Sequence, residues 1–235
     1  MEWNKIYRGD CLKVMEEIPD ASIDMVVTSP PYNFGGFSRN GRKSNYDSYS
    51  DDMPDDAYKD WIERVLLSLS RILKRGGVVY WNHKGRFVNG VYYPPFWVIE
   101  RCPLQLYEHI IWKYPSSPDV ANIKWYPRTE DIFMFSKGKP AYFNEEMASM
   151  SNVWEISHIQ ENEHPAPFPL ALAARCIMAS CPRDGVVFDP FMGSGTTALA
   201  CVKLGINYIG AEISEKYVRY AEKRINTAES QLSLF

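Results

Sequence analysis

No stretch of the chain approaches the roughly 18 uninterrupted apolar residues of a membrane-spanning helix, and MEWNKIYRGD at its start has charges where a secretory leader has an apolar core. A cytoplasmic protein is expected. Cysteine is sparse: residues 11, 102, 176, 181 and 201 form no C-x-x-C pair and no disulfide-like framework, which predicts reduced thiols. Histidine is sparser still. His83, His109, His158 and His164 make no HExxH or similarly close ligand set, so no metal site is expected. Neither sign of charge is in large excess; a net charge of −3 argues against a uniformly basic surface while leaving room for a basic groove. Internal repeats and low-complexity tracts are missing as well.

What is present is an ordinary globular composition. With 235 residues, 46% hydrophobic and 23% charged, the chain can bury a sizeable core and fits one domain with long inserted loops. Apolar runs at Ile23 to Val27 and Val78 to Trp81 predict strands. Between them Tyr58, Trp61, Ile62, Val65, Leu66, Leu69, Ile72 and Leu73 recur at helical spacing, predicting a helix over 57–74 that Gly76-Gly77 ends. Strands are predicted over 107–112 and 131–135, then a helix over 169–180 with proline at its start. The last part reads strand (186–188), glycine turn, helix (196–203), strand (207–210) and closing helix (214–225). Such alternation predicts the α/β class, a mostly parallel sheet with helices on both faces and ligands at the carboxyl ends of the strands. Polar or proline-rich excursions at 33–56, 114–128 and 136–164 interrupt the pattern.

The turn Asp189-Pro190-Phe191-Met192-Gly193-Ser194-Gly195-Thr196-Thr197 follows a strand and opens a helix, where glycines let a backbone approach a ligand. No Gly-Lys-Ser/Thr follows, so it is not a phosphate loop, and Ala198 stands where a dinucleotide fingerprint has its third glycine. Without a ligand it is a tight strand-to-helix connection. Glu212, in YIGAEIS, lies 17 residues beyond Gly195, near the roughly 20-residue spacing at which a carboxylate reaches a ribose hydroxyl pair. The bland alternative is a solvated loop acid.

Residues 28–33 read TSPPYN, directly after a predicted buried strand. Pro31 fixes its own φ and drives Pro30 towards extended geometry, so the Pro30 carbonyl is held in one direction. Ser29 adds a hydroxyl, and Tyr32 a flat ring able to stack on a heterocycle. Two acceptors beside an aromatic platform suit an exocyclic amino group, whose two N–H donors lie in the plane of a nucleobase. A rigid loop with Tyr32 packed on the core is the alternative.

Together TSPPY, HPAPFP (164–169), DPFMGSGTT (189–197) and GAEIS (210–214) resemble the amino-group DNA methyltransferases that use S-adenosyl-L-methionine. The catalytic motif precedes the cofactor motif, as in that family's circularly permuted beta group. The resemblance covers the chain from Arg8 to about Tyr217. It implies a Rossmann-like methyltransferase fold in a single domain over 1–235, with the loops 33–56, 114–128 and 136–163 as candidate DNA-recognition elements. It implies that Ser29, Pro30, Pro31 and Tyr32 hold and stack the target base. It implies that Asp189, Pro190, Phe191, Gly193, Ser194, Gly195 and Thr196 shape the cofactor pocket, and that Glu212 binds the ribose. His164, Pro165 and Phe168 resemble the segment along the methionine end of the cofactor. Asp10, with Cys11 beside it, resembles the residue that receives the adenine amine, although Asp10 equally suits the N-cap of a helix over 11–18.

In this family SPPY resembles the cytosine-N4 enzymes and DPPY more often the adenine-N6 enzymes, so Ser29 leans towards cytosine and leaves adenine open. The expected partner is DNA, with the base flipped from a duplex or presented single-stranded. Arg39, Arg42 and Lys43, just past the catalytic turn, are candidate phosphate contacts, and Lys113, Lys124, Arg128 and Lys137 are scattered further candidates. The interval before HPAPFP is short for a recognition region, which keeps a homodimer in view. Competing functions are methylation of RNA or a protein glutamine, and a cofactor-binding module without catalysis.

Overall fold

The computed structural model describes residues 1–33, 51–88, 91–115, 125, 127–157 and 169–232. The chain runs through β1 (Lys5–Arg8), α1 (Cys11–Glu16), β2 (Ile23–Thr28), α2 (Asp55–Ile72) and β3 (Leu73–His83) to a hairpin of β4 (Arg86–Val88) and β5 (Val91–Tyr93). It continues through α3 (Trp97–Arg101), β6 (Gln105–Lys113), β7 (Thr129–Ser136), α4 (Glu145–Ala148), β8 (Val153–Glu155) and α5 (Leu170–Ser180). The last elements are β9 (Val186–Asp189), α6 (Thr196–Leu204), β10 (Asn207–Glu212) and α7 (Glu215–Leu232).

Eight strands form one sheet in the order β1-β10-β9-β2-β3-β7-β6-β8. Among the described residues of this sheet only β7 opposes its neighbours, β3 and β6, and the other pairings in it are parallel. The two faces bury separate cores. On one, Val14 and Met15 of α1, Ile62, Val65, Leu66 and Leu69 of α2, and Val98 of α3 pack on Val26, Val79 and Phe188. On the other, Leu172, Ala173 and Cys176 of α5, Ala198 of α6 and Ala221 of α7 pack on Met25, Val27, Tyr80 and Val187. Each fully buried Leu or Val is worth about 1.5–3 kcal/mol against exposure. The mostly parallel α/β sheet with helices on both faces is the class expected from the sequence. No helix of the described residues is long and apolar enough to cross a membrane, and all five cysteines are free thiols.

Helix α2 follows its sequence pattern closely. Tyr58, Ile62, Val65, Leu66, Leu69 and Ile72 are its buried stripe, and Asp55 and Asp56 place negative charge at its N-terminus, where the helix dipole favours it. Lys137 Nζ donates to the carbonyls of Ser70 (2.7 Å) and Leu73 (2.9 Å), so this cation serves the helix C-terminus rather than a surface contact. The helix does not end at the glycines. Leu73 is already extended (φ −72°, ψ 133°), and Gly76-Gly77 lie inside β3. Gly76 adopts φ +81°; its N–H donates to the Lys137 carbonyl and its own carbonyl accepts from Ala141 N, which bends β3 against the end of β7. The strand β1 carries no apolar run, since Ile6 is its one buried residue, and so gave no periodic signal.

Two left-handed glycines separate backbone strain from steric demand. A Cβ on Gly76 would lie 2.7 Å from Ala141 Cβ and 2.9 Å from Ala141 N, whereas one on Gly138 (φ +85°) would meet nothing within 4 Å. Gly138→Ala should therefore cost about 1–2 kcal/mol, the left-handed penalty alone. Gly76→Ala should cost roughly 2–5 kcal/mol, because overpacking against rigid backbone adds to it. Urea unfolding of the two variants measures the difference; equal losses would mean that Ala141 yields.

Candidate active site

The carboxyl ends of β1, β10, β9, β2 and β3 share one edge of the sheet, and the antiparallel β7 brings its first residues to that same edge. Asp189 ends β9 beside β2 and is fully buried. Its Oδ1 accepts from Thr28 Oγ1 (2.6 Å) and Phe191 N (3.0 Å), and its Oδ2 from Thr197 Oγ1 (2.6 Å). Burial raises its pKa to about 6, against the downward pull of those donors. One carboxylate thus joins the strand that ends in TSPPY to the glycine-rich turn and to the first turn of α6.

That turn is held from several sides. Met192 N donates to the Ala211 carbonyl (2.9 Å), and Arg224 Nη1 of α7 reaches Ser194 O (2.7 Å) and Ser194 Oγ (3.0 Å). Thr196 opens α6 and is buried, with its Oγ1 3.4 Å from Ser194 Oγ. Gly195 has φ +81°, and a Cβ there would lie 2.6 Å from Ala221 Cβ, so close packing on α7 accounts for this glycine without a ligand. Glu212 closes the turn from β10: Oε2 accepts from Gly193 N and Oε1 from Ser214 N, both at 2.8 Å. Burial pushes the Glu212 carboxyl upward, and these backbone donors oppose it.

Pro190 is buried, while Phe191 is half-buried with its ring against Trp61 (5.5 Å) and Trp81 (6.2 Å). Gly9 N donates to the Glu212 carbonyl (2.9 Å), which seats Asp10 next to Glu212. Asp10 caps α1, with Oδ1 accepting from Leu12 N (2.9 Å) and Lys13 N (3.4 Å). Burial pushes the Cys11 thiol up to about 12, and the fully buried Cys176 is raised too, so neither offers a thiolate.

The TSPPYN turn sits at the same edge. Ser29 Oγ lies 2.7 Å from Tyr32 Oη, and Asn82 Nδ2 donates to Tyr32 Oη at 2.6 Å. The Pro31 carbonyl accepts from Tyr58 Oη (2.7 Å), while the buried Pro30 carbonyl accepts from no described residue. His83 stacks under Tyr32, with ring centroids 4.9 Å apart at 24°. His83 Nδ1 lies 2.8 Å from Lys84 N and 3.0 Å from the Lys84 carbonyl, and Nε2 lies 3.0 Å from Tyr58 Oη. Burial, with a smaller push from Arg86, lowers the His83 pKa to about 4, so the ring is neutral. Asn33 ends the turn at φ +56°; its N–H donates to Asp51 Oδ1 (2.7 Å) and its carbonyl accepts from Arg86 Nη1 (2.8 Å).

Ser29, Pro30, Pro31 and Tyr32 therefore share one edge with Asp10, Cys11, Asp189 to Thr196 and Glu212. His164, Pro165, Phe168, Arg39, Arg42, Lys43 and Lys124 lie outside the described residues. Lys113 pairs with Glu155, and Arg128 Nε donates to the Tyr114 carbonyl (3.1 Å). Sequence reasoning missed Tyr58, Asn82, His83, Lys84 and Glu130. The available signal was Asn82-His83-Lys84, polar residues directly after a predicted strand, where an α/β sheet presents its ligands.

A family model described as DNA methylase, that of the N6/N4 methyltransferases, matches residues 23–223. The Type II methyltransferase M.BglII of Bacillus subtilis is 29% identical over 93% of this chain and 68% of its own length. Among solved structures, the cytosine-N4-specific PvuII DNA methyltransferase superposes with a TM-score of 0.78, covering 97% of this chain and 92% of its own, at 22% identity. A putative DNA modification methylase of Thermus thermophilus, crystallised with S-adenosyl-L-methionine, superposes at 0.70, covering 95% of each chain, at 26% identity. With a motif-bearing edge in place and a family match over most of its length, this chain belongs to the S-adenosyl-L-methionine-dependent DNA methylases of the N6/N4 group.

Proposed function

We propose that this DNA methylase modifies the N4 amine of cytosine, presented as a base swung out of the duplex. One observation carries the reading: the Ser29 hydroxyl and the Pro30 carbonyl, which accepts from no described residue, stand beside Tyr32, tied through Thr28 and Asp189 to the glycine turn. An exocyclic amine is a weak nucleophile because its lone pair is delocalised into the ring. Ser29 Oγ and the Pro30 carbonyl, accepting from both amine hydrogens, would stabilise the tetrahedral nitrogen as the nitrogen–carbon bond forms and the donor's carbon–sulfur bond breaks to a neutral thioether, after which the nitrogen sheds one proton to solvent. Extrusion costs a few kcal/mol, and stacking on Tyr32 returns about 1–3 kcal/mol. His83 backs the opposite face of that ring. No cysteine nucleophile takes part.

The residues present fit the methyl donor. Glu212 accepts the backbone amides of Gly193 and Ser214, with Ile213 N–H a lesser third donor, and a carboxylate offers about four acceptor sites, so capacity remains for a ribose hydroxyl. Phe191 offers a partly exposed ring, and Asp10 a carboxylate next to Glu212. S-adenosyl-L-methionine supplies an electrophilic methyl group bound to a sulfonium. His164, Pro165 and Phe168 are proposed for its methionine end, and Arg39, Arg42 and Lys43 for DNA phosphates. The loops 33–56, 114–128 and 136–163 are proposed to recognise DNA within one domain, with a second subunit as a further source of contacts.

Incubation with labelled S-adenosyl-L-methionine and DNA, followed by digestion to nucleosides, should give N4-methylcytosine. Label in methyladenine would overturn the base assignment, and unlabelled DNA the activity. Tyr32→Ala should lower the single-turnover rate at least tenfold with cofactor affinity held within twofold; lost cofactor binding would make the ring structural. For Glu212→Ala the cofactor Kd should rise more than tenfold, about 1.4 kcal/mol. An unchanged Kd would remove Glu212 from the ribose.

The platform under Tyr32 also sets a pH dependence. Between pH 6.5 and about 4 the unfolded chain protonates His83 and the folded chain does not, so this group's contribution to stability falls as pH falls. Asp189 works oppositely, because its folded pKa, about 6, lies above the unfolded value of 3.8. The two overlap, so the informative quantity is the difference between wild type and His83→Phe. The wild type's advantage should shrink on acidification through that window, by at most about 1.4 kcal/mol per pH unit. A difference that is constant with pH would mean that His83 titrates normally.

A further inference from the structure

Behind the TSPPYN turn lies a buried ionic cluster that the reading above does not use. Glu130, the second residue of β7, ion-pairs with Lys84 (Nζ to Oε1, 3.1 Å), and both side chains are nearly covered, at 9% and 14% exposure. Lys84 Nζ also donates to Tyr114 Oη (2.7 Å). The other carboxylate oxygen, Oε2, faces the catalytic turn, 3.2 Å from Asn82 Nδ2 and 3.4 Å from Tyr32 Oη. Ser29 Oγ, Tyr32 Oη and Glu130 Oε2 therefore form a line that ends in a negative charge, with the Asn82 amide bridging the last two.

We propose that Glu130 is a positioning residue that fixes the direction of this hydrogen-bond chain, making Ser29 an acceptor towards the substrate. The proposal rests on the reading of Ser29 as an acceptor for the amine. Proton counting carries it. A carboxylate only accepts, and the two N–H groups of Asn82 serve Tyr32 Oη (2.6 Å) and Glu130 Oε2 (3.2 Å), with Ser29 Oγ a longer third contact at 3.5 Å. The phenolic proton of Tyr32 then turns to the carboxylate, the Ser29 proton turns to Tyr32 Oη, and a lone pair of Ser29 is left for the amine. At 3.4 Å the phenol–carboxylate contact is longer than the 2.5–2.7 Å of a full O–H···O⁻ bond, so the charge acts mainly by orienting the hydroxyl dipoles. If an amide replaced the carboxylate, its NH₂ could donate to Tyr32 Oη. The chain would then reverse, and Ser29 would present a hydrogen to the amine. The same polarity discriminates between bases: a hydroxyl held as acceptor receives an amine and repels the carbonyl that thymine presents at the corresponding position.

A double-mutant cycle tests this, read as single-turnover methyl transfer at saturating cofactor and DNA. Glu130→Gln should slow transfer at least tenfold in the wild-type background, with cofactor affinity within twofold, and less than twofold in a Ser29→Ala background. A loss of equal size in both backgrounds, or no loss in the wild-type background, overturns the proposal while leaving the acceptor reading intact. If Ser29→Ala alone transfers at the wild-type rate, that reading fails and the proposal with it. Should Glu130→Gln fail to fold because Lys84 is orphaned, Glu130→Gln with Lys84→Met removes both charges, and the same cycle on that pair supports or overturns the proposal by the same outcomes.

Discussion

The buried carboxylate of Asp189 is the interaction on which the site depends. It sits between two segments, reaching 161 residues back along the sequence to one of them, and accepts a hydroxyl from each, Thr28 on one side and Thr197 on the other. Hydrogen bonds to a charged group are worth about 1.5–3 kcal/mol each, and a buried acceptor deprived of them bears its full desolvation cost. The carboxylate therefore couples the placement of the TSPPYN turn to the placement of the glycine-rich turn. Neither can shift without leaving a polar group unsatisfied in the core. Under the proposed function a donor carbon and an acceptor nitrogen must meet in line, and that coupling would fix the relation between the two turns assigned to them.

Sheet polarity explains why so many polar groups meet here. Parallel strands deliver their last residues to one edge, and the single reversed strand, β7, delivers its first residues there too. Glu130 arrives by that reversal, opposite the WNHK that ends β3. A fully parallel sheet would have carried the β7 N-terminus, and its carboxylate, to the far side of the molecule.

Much of this was legible in the sequence. The amphipathic stripe of α2, the apolar runs of β2, β3, β6 and β7, and the glycine turn between β9 and α6 gave the α/β class directly, because burial and period determine them. Gly76-Gly77 was misread as a helix stop. Glycines are read as breakers by default, and only the contact with the end of β7 shows that here they bend a strand. The TSPPY and glycine-rich motifs were visible as motifs. The groups that support them were not, because Tyr58, His83 and Glu130 are separated by tens of residues and converge only through topology. Asp10 shows another limit: helix cap and cofactor ligand ask for the same side chain at the same place, and the cap is satisfied in the folded chain.

Strand order also bears on how the protein is made. β2 leaves the ribosome well before β9, one of its two neighbours in the sheet, which begins at Val186. At synthesis rates of about 5–20 residues per second, the inner edge of β2 stays without that partner for on the order of ten seconds or more. An apolar strand with a vacant hydrogen-bonding edge is a template for pairing with the wrong chain. The motif order, which places the TSPPYN turn before the glycine-rich turn, thus carries a biosynthetic hazard: the strand that leads into the first turn must wait, unzipped, for the strand that leads into the second.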